Sequence, residues 1–353
     1  MRLSIWLRER SQHILAWTGD ILRARDGSRG PLYGPGNFLL GVNLPWMAYG
    51  CDFGANAWQP EGGSAQPARR EAIERTFAQL QAHGIRLVRW FMLCDGRAGI
   101  LFDEHDEPLG LDSHFFADVD AAVHTAQHHG MKLMFVLFDF SWFGARVSHR
   151  GVAARGRAGV MRDRRRRGRL LERVLRPILE RYGREPAIFA WDIVNEPDWA
   201  TRGLASSDRH VTVGWGTMRK FLRSAVELVH EQTQHQATVG RASARWLDLA
   251  KGLGLDFYQV HWYDRLEALS PLDQPLHSLE LDRPLVVGEF PSRGASSPVP
   301  ELLDTILRCG YGGAMMWSAA AQDGVSDYAT GGEHLAAWAA SHREQICSNP
   351  AAE

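Results

Sequence analysis

From Phe38 onward, short apolar runs alternate with segments in which apolar residues recur at helical spacing. The runs predict strands over residues 38–43, 87–91, 133–139, 190–194, 237–240, 257–261, 285–289 and 313–317. The segments between them predict helices. Ile73, Phe77 and Leu80 share one face ahead of His83-Gly84, and Phe116, Val119, Val123 and Ala126 share another ahead of Gly130. Later faces carry Phe221, Leu222, Ala225, Val226 and Val229, then Leu302, Leu303 and Ile306, and finally Leu335 and Trp338. Pro177 should kink a helix around residues 170–182. Residues 145–169, rich in Arg and Gly, read as an insertion with a solvated basic stretch at 162–169.

Strand and helix alternate about eight times, which implies parallel pairing through right-handed crossovers. The arrangement that absorbs eight such units is a closed (β/α)8 TIM barrel, here over residues 36–345. Residues 1–35, a mixed apolar and charged stretch followed by a Gly/Pro-rich one, read as an N-terminal extension and linker, and 346–353 as a C-terminal tail. An open doubly wound sheet is the weaker reading. Its Gly-rich nucleotide loop is missing after the first strand, where the chain has Gly41-Val42-Asn43-Leu44-Pro45-Trp46.

In a barrel the reacting groups sit at the C-terminal strand ends. Collected there are Asn43, Arg89, Asp139, Asn195, Glu196, His261, Tyr263, Glu289 and Trp317. The fourth strand runs from Ala190 into Asn195-Glu196-Pro197, a trio ill suited to a strand interior, and the seventh ends at Glu289. Two glutamates facing one cavity are what glycoside hydrolysis needs: one acid for the leaving oxygen and one carboxylate on the other side of the scissile bond. A separation of about 5–5.5 Å would mean retention, and ~6.5–9.5 Å inversion.

Asn195-Glu196-Pro197 preceded by Trp191-Asp192, with His261-Trp262-Tyr263, Gly288-Glu289-Phe290 and Trp317, resembles the retaining glycoside hydrolases of clan A, family 5 or a near neighbour. The resemblance spans roughly residues 38 to 345. It implies Glu196 as acid/base and Glu289 as nucleophile of a double displacement on a β-linked mannan or glucan. It further implies that Asn195 binds the sugar 2-hydroxyl, Arg89 holds the nucleophile ionised, Tyr263 donates to it, His261 orients the acid/base and Trp317 floors the reactive sugar. Trp46 and Trp142 are candidate sugar-stacking residues in the adjoining loops. Ser141 stands where many family-5 cellulases carry histidine. The run Ser141-Trp142-Phe143-Gly144, with Val88-Arg89-Trp90 and Leu255-Asp256-Phe257, is more similar to the family-5 endo-mannanases. A transglycosylase on the same scaffold, or a non-catalytic carbohydrate-binding barrel, are the alternatives.

Composition narrows the partners. The chain has 353 residues, 45% hydrophobic and 23% charged, with a formal net charge of −1, which argues against a generally nucleic-acid-seeking surface. Four dispersed cysteines fit neither a zinc motif nor a disulfide scaffold, and no metal or cofactor is implied. No apolar run reaches membrane-span length, and the charges scattered through residues 1–22 leave no signal-peptide core. A cytoplasmic setting and a β-linked oligo- or polysaccharide partner are therefore the expectations.

Overall fold

The computed structural model describes residues 37–347, apart from 205 and 322, so the expected N-terminal extension lies outside the described residues. Its centre is a ring of parallel strands: β1 (Leu39–Leu44), β2 (Leu87–Phe91), β3 (Lys132–Asp139) and β4 (Ile188–Asn195). β5 (Gln236–Thr238, continued by Gly240–Arg241), β6 (Tyr258–His261), β7 (Leu285–Pro291) and β8 (Gly313–Trp317) complete it. Each strand pairs with the next in chain order, and β8 pairs with β1. The ring closes at β5, whose first segment pairs with β4 while its last two residues pair with β6. This is the eight-stranded barrel expected from the alternation.

Among the described residues six helices of ten residues or more wrap it: α1 (Pro67–Ala82), α2 (Phe115–His128), α3 (164–182), α4 (Trp215–Gln232), α5 (Val299–Arg308) and α6 (Tyr328–Ser341). After β5 the chain makes the 3-10 turn Ala244–Leu249, and after β6 the 3-10 turns Asp264–Leu266 and Leu276–Leu279, so two of the eight strand-helix units lack a full helix. The basic stretch is also not a loop. Asp163 caps α3 by accepting from the Arg165 and Arg166 amides at 2.8 and 3.0 Å, and arginine is a good helix former. The break expected at Pro177 takes the form of a π turn, Leu171–Leu175, just before the residue that cannot donate to the helical ladder. At the C-terminus Phe38 bridges Ile346, so the tail's first residues belong to the barrel's base. Among the described residues no helix is long and apolar enough to cross a membrane.

Side-chain alternation places the site. Leu39, Leu87, Met134, Phe257, Val286 and Met315 plug the barrel's lower interior. Two residues further along, the inward positions become polar: Leu87 gives way to Arg89 and then Phe91, and Phe257 gives way to Gln259, His261 and Tyr263. The intervening positions, such as Val88 and Trp90, face the helices in a second, larger core. Gly41 and Gly288 keep this interior narrow. A Cβ at Gly41 would lie 2.8 Å from Met315 Cγ, and one at Gly288 2.5 Å from Gln259 Cγ.

Candidate active site

The site is built around Arg89, whose side chain is wholly buried. All five of its N–H groups are used. Nε and NH2 donate to Asp192 Oδ2 at 3.1 and 2.8 Å, and NH2 also to Asn195 Oδ1 at 2.7 Å. NH1 donates to Asn43 Oδ1 at 2.9 Å and to Glu289 Oε1 at 2.7 Å. Burying a guanidinium is tolerable only when its charge and donors are matched in this way. One cation thereby orients residues from β1, β4 and β7. Asn43 in turn donates to the Gly288 carbonyl at 2.9 Å, and Asn195 to Asp139 Oδ2 at 2.8 Å.

Glu289 accepts from Arg89 on one oxygen and from the Tyr263 hydroxyl on the other, at 2.8 Å. Glu196 has different company. Its Oε2 accepts from the Trp199 indole at 2.7 Å, and its Oε1 lies 2.8 Å from His261 Nδ1. That contact serves either proton arrangement, ring N–H to carboxylate or carboxylic O–H to ring nitrogen. The same His261 nitrogen is 3.5 Å from Glu289 Oε1, and carboxyl oxygens of the two glutamates lie within 4.8 Å of one another. Such proximity belongs with the retaining spacing of about 5–5.5 Å and is well short of ~6.5–9.5 Å.

Electrostatics separates the two acids. Burial raises both carboxyls above their ordinary range, Glu196 adds to the rise at Glu289, and Asp139 beside them is raised as well. Their contacts differ: Glu289 lies against the Arg89 guanidinium, while no arginine or lysine contacts Glu196, so a proton shared by the pair is favoured on Glu196 and the charge on Glu289. Burial pushes His261 down to about 4, so the ring is neutral at ordinary pH.

The backbone supports this aim. Glu196 adopts a φ of +49°, a left-handed conformation uncommon for a non-glycine residue. It is held there by a 2.7 Å hydrogen bond from its amide to the Gly240 carbonyl. Just beyond, Asp198 pairs with buried Arg241 and accepts from the Ala242 amide at 2.8 Å, tying the turn after β4 to the end of β5.

Above the glutamates lies a cleft of about 780 Å³ lined by Trp46, Tyr49, Phe91, Trp199, Tyr263 and Trp317, among others. Trp46, Phe91 and Trp317 meet edge to face in a triangle, with centroids 6.1–6.2 Å apart. The Trp317 ring is further fixed by its N–H to Asp323 Oδ2 at 2.8 Å. A charged floor beneath aromatic walls is suited to sugars, which present hydroxyls at their rims and C–H faces to rings.

No protein-family model matches the chain. It is, however, 27% identical over 322 residues to a mannan endo-1,4-beta-mannosidase of Mytilus edulis, covering 80% of this chain and 83% of that protein. A mannan endo-1,4-beta-mannosidase of Cryptopygus antarcticus is 23% identical over 352 residues, 86% of this chain and 85% of that one. The solved beta-mannanase of Mytilus edulis superposes with a TM-score of 0.71 at 23% identity, covering 88% of this chain and 94% of that one. The endo-1,4-beta-mannanase structure from Eisenia fetida gives 0.71 at 22% identity, covering 88% and 92%. The chain is a glycoside hydrolase similar to the mannan endo-1,4-beta-mannosidases.

In this glycoside hydrolase the structure gathers Arg89, Asn195, Glu196, His261, Tyr263, Glu289, Trp46 and Trp317 at one rim of the barrel. Trp142 is the exception. The 3-10 turn Phe140–Phe143 directs Phe140 and Ser141 to the cleft but drops Trp142 into the core, fully buried against Phe138, Phe143 and Phe102. Trp142→Ala is therefore expected to destabilise the hydrolase by about 3–5 kcal/mol, as a large cavity does, while leaving KM unchanged in whatever remains folded. Denaturant unfolding and steady-state kinetics on the same preparation check this.

Three residues to which sequence reasoning gives no part in holding Arg89 or Glu196 belong to the site. Asp192 is the inward position of β4 that neutralises Arg89, and Asn43 is the β1 strand end that completes the guanidinium's shell. Trp199, one turn after Glu196, grips the second oxygen of that acid. An inward-facing carboxylate deep in a strand, four residues before a strand-end glutamate, is the signal for Asp192. Trp199 has only its spacing from Glu196 to announce it.

Proposed function

We propose that this hydrolase cleaves internal β-1,4 links of mannan with retention of configuration, Glu196 serving as acid/base and Glu289 as nucleophile. The observation that carries the reading is the asymmetry of two close carboxyls: Glu289 against Arg89 and Tyr263, Glu196 against Trp199 and a neutral His261. The choice of mannan is supported by similar proteins named mannan endo-1,4-beta-mannosidase.

In the first step an ionised Glu289 oxygen attacks the anomeric carbon while Glu196 gives its proton to the departing glycosidic oxygen. Tyr263 and Arg89 release negative charge from Glu289 as the new bond forms. In the second step Glu196, now a carboxylate, removes a proton from water, which displaces Glu289 and returns the anomeric carbon to its starting configuration. Asn195, with one amide N–H committed to Asp139, retains the other for the sugar 2-hydroxyl.

The pH dependence follows from the shared proton. Activity requires Glu289 ionised and Glu196 protonated, so kcat/KM should be bell-shaped, its acid limb from Glu289 and its basic limb from Glu196. Burial of Glu196 places the basic limb above the ordinary carboxylate range. Glu196→Gln should abolish that limb and spare glycosylation only for aryl glycosides whose leaving group needs no proton. Reducing-sugar release from β-1,4-mannan, β-1,4-glucan and β-1,3-glucan, with the product anomer read by NMR, tests the proposal. Mannan cleavage with a β-product is expected. Activity confined to a glucan, or an α-product, overturns it.

A further inference from the structure

Outside the cleft, the most exposed large aromatic on this rim is Trp58, 43% accessible, in the loop between β1 and α1. A lone exposed tryptophan needs no explanation. This one is held on several sides. Its indole N–H donates to the His149 carbonyl at 3.1 Å, and its amide donates to Asn56 Oδ1 at 2.9 Å. The His149 ring meets it edge to face at 5.9 Å, from the hairpin formed by Val147–His149 and Val152–Ala154.

The Arg97 guanidinium lies over the Trp58 ring at 5.5 Å and over the Tyr49 ring at 4.4 Å. Arg97 is itself fixed by paired bonds to buried Asp95, at 2.9 and 2.6 Å. Gly50, with a φ of +64°, leaves room for its stem: a Cβ there would lie 3.0 Å from Arg97 Cδ. Tyr49 lines the catalytic cleft and packs on Trp46 at 4.5 Å. An unbroken run of contacts therefore leads from the aromatic wall of the cleft through Tyr49 and Arg97 to Trp58.

We infer that Trp58 is an additional carbohydrate subsite, a stacking platform for a sugar ring of a long substrate chain whose scissile bond lies over Glu196 and Glu289. Three features favour a sugar over other occupants. The ring is preorganised, so stacking on it costs little side-chain entropy. It is continuous with the aromatic wall of the cleft. Polar groups adjoin it, the Arg97 guanidinium against one face and the His149 ring beside it, within reach of a sugar's hydroxyls. The inference rests on the glycanase reading of the cleft and adds that the enzyme grips more of the chain than the cleft itself holds.

The test compares wild type with Trp58→Ala and Trp58→Phe on β-1,4-manno- and β-1,4-gluco-oligosaccharides from dimer to hexamer, together with an activated aryl glycoside. For Trp58→Ala, kcat/KM on the longest chains should fall about three- to tenfold, the worth of one aromatic stack. The aryl glycoside and shortest oligosaccharides, which cannot reach the platform, should be turned over as by wild type, which also certifies the fold. Trp58→Phe, keeping a ring but losing the bond to His149, should fall between. Equal kcat/KM for Trp58→Ala and wild type at every length, or an equal loss at every length, overturns the subsite while leaving the hydrolase reading intact. A wild type inactive on both series overturns the reading and the subsite together.

Discussion

Glu289→Ala is expected to reduce kcat by at least about 10⁴-fold on any substrate, because it removes the atom that forms the covalent bond rather than one that assists it. The variant should still fold. Arg89 loses one of its partners but keeps the paired bonds to Asp192 and those to Asn43 and Asn195, so no bare charge is left in the barrel. Deleting Glu289 also relieves the repulsion between two close buried carboxyls. Sugar binding should therefore survive while turnover does not. Added azide, small enough for the vacated space, should restore turnover of an activated aryl glycoside and give the α-glycosyl azide. Recovery with inverted product distinguishes a missing nucleophile from a distorted site. Kinetics with and without azide, beside a melting curve, make the measurement.

The second large effect falls on Arg89. Arg89→Lys keeps a positive charge but cannot reproduce a planar fork that meets Asp192, Asn195, Asn43 and Glu289 together. One ammonium has three donors where five are used. We expect kcat to fall by about 10²–10³-fold, since Glu289 loses both alignment and part of the charge that keeps it ionised. The acid limb of the pH profile should move upward, because a less neutralised Glu289 takes up its proton at higher pH. Arg89→Met, which leaves Asp192 buried without a cation, should cost about 3–5 kcal/mol of stability in addition. Unaltered kcat in the lysine variant would mean that Arg89 serves the barrel interior alone.

Much of this architecture was written in side-chain period. The strand over 87–91 carries Leu87, Arg89 and Phe91 on one face, which in the barrel become plug, charged hub and cleft wall in succession. Likewise His261 and Tyr263, two apart, reach Glu196 and Glu289 respectively. A period of two survives into the folded state, so residues at such spacing can be assigned to a common cavity before any coordinates exist.

Where that period lapses, the reading fails. Phe140, Ser141 and Trp142 follow β3 in a 3-10 turn whose phase depends on the side chain of Asp139 accepting from the Ser141 amide at 2.9 Å. Nothing local to the sequence fixes which of the three rotates away from the cleft, and Trp142 does. The arginine run is a different case. Leu170, Val174 and Ile178 recur at helical spacing directly after it and are buried, and Asp163 stands at the capping position. High charge density masked only the first turns of a helix expected from residue 170 onward, although the residue that caps its start was legible. The two absent helices after β5 and β6 were not, since the connections there carry apolar residues that pack as 3-10 turns.

The central claim is that Glu289 becomes covalently bonded to the sugar while Glu196 manages the proton. An activated 2-deoxy-2-fluoro-β-mannoside slows the second step and allows the intermediate to accumulate. Intact mass spectrometry followed by peptide mapping should show one fluorosugar per chain, attached to Glu289 in the peptide containing Gly288-Glu289-Phe290. A label on Glu196 or on any other residue, or rapid release of fluorosugar of inverted configuration with no label at all, would contradict the account.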